Sequence, residues 1–409
     1  MPSNTWNLLD ALLEKTGANG DNGVLDQQLR FRFTSLHHLN TVINFMSWDE
    51  ILGHQPALER FKRSVERGRL ASTYLFVGPD GVGKRTFALK LAEALLCEQN
   101  SSSELKPCGV CPGCQQVRAQ THPDLVLISK PKDKAFIPVE TFIGDKEHRR
   151  QQGLCHDIGL KPFRGGRKIA IIDDADFLNQ EGANSLLKTL EEPPPKSLLI
   201  LLGTSQHRQL STIVSRSQVV RFSALTNQQV LTILERENLL ETEDIPAKTL
   251  ADSSGGSVAT AIRLSDSETM EFRRLLFSQL ATRDPGRDDF PASVTSFVDA
   301  VGKDAAKKRM RLVMVGDFAI SFYRRWYQQL AGVELDEQTG DPLISGFVED
   351  GVGPWLDRDP GAGAMVAVQC IERTTEMQTQ VIRNAGSANV VDAWLRDLGR
   401  INRETYCPA

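Results

Sequence analysis

Thr73-Tyr-Leu-Phe-Val-Gly78-Pro-Asp-Gly81-Val-Gly83-Lys84-Arg85-Thr86 runs from an apolar stretch through a glycine-rich turn into an amphipathic segment. That order predicts a strand, a phosphate loop and a helix. Gly78, Gly81 and Gly83 free the backbone N–H groups to turn toward phosphate oxygens, and the helix N-terminus adds partial positive charge. Lys84 is placed to neutralise the β and γ phosphates. The next position calls for a Ser or Thr hydroxyl to ligate magnesium, and here it is Arg85. Thr86 lies about 100° further round the helix and is poorly placed to substitute. The stretch therefore predicts an ATP pocket, leaves magnesium open and argues against hydrolysis.

Working outward, Lys168-Ile-Ala-Ile-Ile172 and Ser197-Leu-Leu-Ile-Leu-Leu202 are further continuous apolar runs, the pattern of strands covered on both faces. Amphipathic segments separate them: Arg85–Cys97 carries Phe87, Leu91, Ala94 and Leu95 at helical spacing, and Asn184–Glu192 stops at Pro193-Pro-Pro195. Between Trp48 and Phe222 the alternation predicts an α/β domain with a parallel sheet. The second strand ends in Asp173-Asp174-Ala175-Asp176. Asp173 is placed to hold magnesium and Asp174 to polarise an attacking water, a task usually given to the longer Glu.

After Phe222 the strands cease. Thr226-Asn-Gln-Gln229 reads as a capping box and Ser253-Ser-Gly-Gly-Ser257 as a second helix start. The expected division is a P-loop α/β core over 47–222, a helical lid over 223–265 and a helical domain over 266–409. A looser Gly/Pro-rich stretch is expected at about 332–362. Residues 1–46 read as an extension of weak helical signal, with Met46 an alternative start.

Cys97, Cys108, Cys111 and Cys114 lie at metal-ligand spacing, with Gly and Pro between them to let sulfurs converge. Four thiolates leave no open coordination position, so a structural zinc is expected. A redox pair competes, but it would leave Cys97 and Cys108 without a role. The other three of the seven cysteines are isolated. A chain of 409 residues with 40% hydrophobic and 24% charged residues is an ordinary globular composition. Its net charge of −4 gives no global attraction to nucleic acid. No apolar run approaches the ~20 residues that cross a bilayer, and no secretory pattern opens the chain, so a cytoplasmic location without membrane contact is expected.

Taken in order, these marks resemble bacterial DNA polymerase III clamp-loader subunits, which are AAA+ proteins. The resemblance covers roughly 47–265. It rests on Gly78–Lys84, the cysteine cluster, Thr121-His-Pro-Asp124, Asp173–Asp176, Ala183-Asn-Ser-Leu-Leu-Lys-Thr-Leu-Glu-Glu-Pro193 and Thr212-Ile-Val-Ser-Arg-Ser217. It implies that Arg216 is an arginine finger reaching the ATP site of a neighbouring subunit, although the family usually has Cys where Ser217 stands. Thr204 and Ser205 fall at the family's first sensor. Ala259 stands where hydrolysing members keep a second-sensor arginine, with Arg263 a turn later. Arg85, Asp174 and Ala259 together fit the delta-prime kind of subunit better than the gamma/tau ATPase kind. Implied partners are gamma/tau and delta-type subunits, the sliding clamp, and primer–template DNA held by the whole assembly; 266–409 would be the collar. A P-loop binding module outside replication is the remaining alternative. Arg149, Arg150, Lys161, Arg164, Arg167 and Lys168 form either a phosphate-tracking patch or a solvated loop. Phe318, Phe322, Trp326 and Leu330 read as collar core or subunit interface.

Overall fold

The computed structural model describes residues 47–406, apart from 132–133, 135, 150, 165, 241–243, 288, 334–340 and 384–386. The expectations for 1–46, Arg150 and Cys407 lie outside the described residues. Among them no helix is long and apolar enough to cross a membrane.

Ser47 opens the described chain as a capping box with Glu50. Trp48 is buried there, its indole Nε1–H donating to the Leu105 carbonyl at 2.5 Å. Helix α1 (Gln55–Glu66) precedes strand β1 (Thr73–Val77), and helix α2 (Lys84–Leu95) follows the loop. Next come α3 (Pro112–Arg118), β2 (Leu125–Ile128), β3 (Lys168–Ile172), α4 (Gln180–Glu191), β4 (Ser197–Gly203), the single turn α5 (Ser211–Val214) and β5 (Gln218–Arg221). The strands form one parallel sheet in the order β2-β3-β4-β1-β5. Thr73 pairs with Leu199, and Lys168 with Ser197. Every residue of β1, β3 and β4 is buried, as their unbroken apolar sequences require.

One set of sheet side chains packs with Phe142, Leu154, Ile158, Leu186 and Ile213. Tyr74 and Phe76 instead join Phe61, Phe87 and Phe222 in an aromatic cluster, with ring centroids 4.7–5.9 Å apart for the pairs Phe61–Tyr74, Phe61–Phe76, Phe76–Phe87, Phe76–Phe222 and Phe87–Phe222. Helix α4 starts at Gln180, a turn earlier than its apolar spacing implies. The Asn179 side chain accepts from the Gly182 N–H at 2.8 Å and caps it.

Three helices follow the sheet, α6 (Asn227–Arg236), α7 (Ala247–Asp252) and α8 (Val258–Leu264). Then come α9 (Ser267–Leu280), α10 (Phe290–Asp299), α11 (Ala305–Leu330), α12 (Pro342–Leu356), α13 (Pro360–Ile382) and α14 (Ser387–Tyr406). The stretch expected to be loose therefore holds a helix of 15 residues and the start of another. Pro342 and Pro360 sit in the first turn, where no N–H is missed. Asp341 and Asp359 cap these helices by accepting from Leu343 and Ala362 N–H groups, each at 3.0 Å. The glycines allow close crossings: a Cβ on Gly351 would lie 2.6 Å from the Trp326 ring, and one on Gly363 would lie 2.7 Å from Leu330. A single apolar cluster runs from Leu225 to Leu398.

Candidate functional site

The loop ahead of α2 has the shape its glycines predict. Gly81 and Gly83 adopt φ +72° and +98°, and Gly83 is the residue that caps α2. Lys84 is buried, its ammonium donating to the carbonyls of Gly78 and Pro79 at 2.8 and 2.7 Å. Burial pulls its pKa down, against the opposing pull of Asp80, Asp173, Asp176 and Asp174. His54 Nε2 lies 2.6 Å from the Val82 carbonyl and braces the loop from behind. Helix α8 rests directly on it. The Val258 N–H donates to the Gly81 carbonyl at 3.1 Å, and a Cβ on Gly81 would come within 2.5 Å of Ala259 and the Ser257 hydroxyl. Ala259 thus brings a methyl group to the loop. Arg263 lies a turn away, 3.8 Å from Asp80, with its Nε donating to the Ala259 carbonyl.

Arg85 reaches across to β3, and its Nη1 donates to Asp173 Oδ2 at 2.7 Å. Asp173 Oδ1 accepts from the Asp174 N–H at 3.1 Å, so both carboxylate oxygens have partners within the chain. These residues do not fit magnesium. A permanent cation replaces the hydroxyl ligand and is paired with the carboxylate that would hold the metal. Asp174 is in the left-handed region at φ +56°, its Oδ2 accepting from the Lys130 N–H at 3.3 Å. Burial raises its pKa, and the neighbouring Asp173 raises it further. Thr204 donates its hydroxyl and its N–H to Asp176 Oδ2 at 2.5 and 3.0 Å, and Gln209 also donates to Asp176. Thr86 lies on the first turn of α2, one position beyond the Arg85–Asp173 pair. The structure brings Lys84, Arg85, Asp173 and Asp174 together, with the Lys84 ammonium and both Asp173 oxygens taken by partners within the chain and the Arg85 Nε buried without one.

Arg216 follows α5 and is partly exposed. Its Nε and Nη2 donate to Glu191 Oε1 at 3.0 and 2.6 Å, and its Nη1 donates to the Thr212 carbonyl and Ser215 hydroxyl at 3.2 and 3.1 Å. Reading the sequence did not single out Glu191, which appeared only as part of the Leu-Glu-Glu-Pro run. Nothing in the chain's local spacing points across the 25 positions to Arg216.

The sulfurs of Cys97, Cys108, Cys111 and Cys114 all lie within 4.8 Å of one another. Backbone N–H groups point at them: Asn100 and Cys108 to Cys97 Sγ, Cys111 to Cys108 Sγ, and Cys114 and Glu98 to Cys111 Sγ, at 3.3–3.4 Å. Such donors stabilise thiolates. At Cys97 burial acts upward, but the amides of Asn100, Cys108 and Gln99 outweigh it and bring the thiol down to about 7. Burial and the surrounding sulfurs push Cys114 up. A divalent cation at the centre of the four sulfurs would favour the thiolate at each. The cluster is a group able to hold a metal, and its four-sulfur donor set fits a closed tetrahedral site.

The basic stretch is partly spent internally. Arg164 pairs with Glu98, and Lys168 is buried 3.9 Å from Asp124. Asp124 also accepts from the Phe163 and Arg164 N–H groups at 2.7 and 3.2 Å, which gives Thr121-His-Pro-Asp124 the role of anchoring that loop. Phe318, Phe322, Trp326 and Leu330 are all buried in the helical core.

Residues 53–226 match the family described as DNA polymerase III, delta subunit. The chain is 31% identical to the DNA polymerase III subunit delta' of Bacillus subtilis over 223 residues, 54% of this chain and 62% of the relative. It is 30% identical to the Escherichia coli delta' over 57% of this chain and 66% of that protein. It is also 30% identical to the Escherichia coli tau subunit, over 53% of this chain and 32% of tau. The match thus spans just under two thirds of the delta' relatives and about a third of tau. Over residues 53–226, which hold the P-loop sheet, the chain is therefore similar to the delta' and tau subunits of DNA polymerase III.

Proposed function

We propose that this chain is a delta'-type subunit of a clamp loader, one that assists ATP hydrolysis next door and does not hydrolyse ATP itself. The observation that carries this reading is the Arg85–Asp173 pair at 2.7 Å, which puts a fixed positive charge where an ATPase needs magnesium. Asp174 in place of Glu and Ala259 in place of an arginine point the same way. ATP, where it enters the Gly78–Thr86 loop, is held without turnover. Arg216 supplies a guanidinium to the ATP site of a neighbouring gamma/tau-type subunit, a contribution worth ~10³–10⁵ in rate where such fingers have been removed. Zinc on Cys97, Cys108, Cys111 and Cys114 holds the 97–114 module in shape. Residues 47–222 act as the core, 223–265 as the lid and 266–409 as the collar. Together with gamma/tau and delta-type subunits they help place the sliding clamp on primed DNA in the cytoplasm.

The test is reconstitution of the full chain with its own gamma/tau and delta-type subunits and clamp, with ATPase read alone and assembled. Alone, the chain shows no turnover above background. Assembled, Arg216→Ala lowers clamp- and DNA-stimulated turnover at the adjacent site by at least ~10³-fold. Robust turnover by the isolated chain would support a gamma/tau-type ATPase instead, and undiminished turnover with Arg216→Ala would remove the finger assignment.

A further inference from the structure

Arg216 is held by a contact that its role as a finger does not require. Helix α4 ends at Glu191, before Pro193-Pro-Pro195, so a carboxylate stands at the negative end of a helix. That placement is locally unfavourable unless a cation answers it. Arg216 is that cation. Its Nε and Nη2 lie 3.0 and 2.6 Å from Glu191 Oε1. Its Nη1 caps the Thr212 carbonyl of α5 and reaches the Ser215 hydroxyl at 3.2 and 3.1 Å. A guanidinium has five N–H donors, and these contacts engage four of them within the subunit. Such an arginine has to give up some of these bonds before it can close on a phosphate elsewhere.

We propose that Glu191 is a latch for Arg216, a positioning residue that keeps the guanidinium on its own subunit until a more highly charged anion takes it. The inference rests on the reading of Arg216 as a finger, and the anion is the terminal phosphate of a nucleoside triphosphate in the neighbouring subunit. The exchange suits the geometry, because Arg216 and Glu191 are 33% and 50% exposed and need not break a core to separate. Exposed ion pairs are weak, so the latch delays engagement without preventing it. Ser217 takes no part, because its hydroxyl donates to the Ile213 carbonyl at 2.8 Å.

Glu191→Gln keeps the shape of the side chain and removes its charge. In the reconstituted assembly, about two- to fivefold less of the Glu191→Gln chain is needed for half-maximal ATPase stimulation, the factor an exposed ion pair supplies. Turnover at saturation stays at the wild-type level, and Glu191→Asp restores the wild-type requirement. A purely structural role for Glu191 would raise the requirement or lower the plateau. In the free full-length chain, the Arg216 Nε–H signal, assigned by its loss in Arg216→Lys, exchanges with solvent faster in Glu191→Gln than in wild type. An unchanged or increased requirement, or equal exchange in both chains, overturns the latch. If Arg216→Ala leaves turnover intact, the finger reading fails separately, and the exchange experiment still decides whether Glu191 restrains the guanidinium.

Discussion

Arg85 and Asp173 face each other 2.7 Å apart, and the electrostatics of that pair oppose those of a magnesium site. A divalent ion approaching Asp173 would have to displace a guanidinium that carries its own charge, and part of the repulsion would remain afterwards. Nucleotide binding by the wild-type chain is therefore expected to be the same with magnesium and with EDTA, as read by a fluorescent ATP analogue. Arg85→Thr restores the hydroxyl, frees Asp173 and makes that binding rise with magnesium. A clear magnesium dependence in wild type would contradict the assignment. Two histidines make a second prediction. Burial lowers the pKa of His54, outweighing the upward pull of the Val82 and Gly53 backbone, and burial likewise lowers His122 against Asp124. The His122 Nδ1 accepts from the Asp124 N–H at 3.0 Å, so a proton there would cost a hydrogen bond. Because both folded pKa values lie below the ordinary 6.5, the unfolded chain takes up protons first as pH falls. Their contribution is complete above about pH 6.5 and is lost progressively below it. The unfolding midpoint should fall between pH 6.5 and 5, and His54→Gln should flatten that fall. At this scale most of the candidate site was legible, since Arg85, Asp174 and Ala259 each break a short motif. Glu191 and the Asp176–Thr204 contact were not, because each joins positions far apart in the chain.

At the scale of elements, helix α8 and the phosphate loop behave as one joint. The Val258 N–H at the start of α8 has the Gly81 carbonyl as its acceptor, and Gly81 needs both its positive φ and its missing Cβ. Gly81→Ala introduces a left-handed alanine and a methyl within 2.5 Å of Ala259. The expected cost is about 1–3 kcal/mol by denaturant unfolding, together with faster amide exchange at Val258 as α8 lifts from the loop. Wild-type stability with unchanged exchange at Val258 would show that the joint is looser than its geometry. The same scale shows where periodicity informs and where it fails. The strands β1, β3 and β4 could be read directly because unbroken apolar runs have few other fates in an α/β chain. Strand β2 has only four residues after a His-Pro-Asp turn and offers too little pattern. The helix Pro342–Leu356 was obscured by glycine and proline. Pro342 serves first-turn geometry and Gly351 a close helix crossing, while Pro354 sits inside the helix, and a composition count cannot separate those uses from a loop.

For the molecule as a whole, the apolar cluster from Leu225 to Leu398 joins helices α6–α8 to helices α9–α14. It takes in Val230, Leu234 and Leu250 together with Phe277, Phe322 and Trp394. Side chains that share a close-packed interior transmit the loss of a neighbour, so helices α6–α14 should lose structure as one cooperative unit. Trp394 is the largest of the fully buried side chains, and its Nε1–H donates to Thr374 Oγ1 at 3.0 Å. Trp394→Ala should cost about 3–5 kcal/mol. Hydrogen exchange read by mass spectrometry distinguishes the possible routes of that loss. If the cluster is one unit, peptides from α6–α8 lose protection along with those from α11, α13 and α14, while β1, β3 and β4, whose core is formed by Leu186, Leu199 and Ile213 among others, keep theirs. Loss confined to the helices around Trp394 would instead mean that α6–α8 and α9–α14 open independently, and α8 would then be free to move on the Gly78–Lys84 loop without disturbing the rest of the helical bundle.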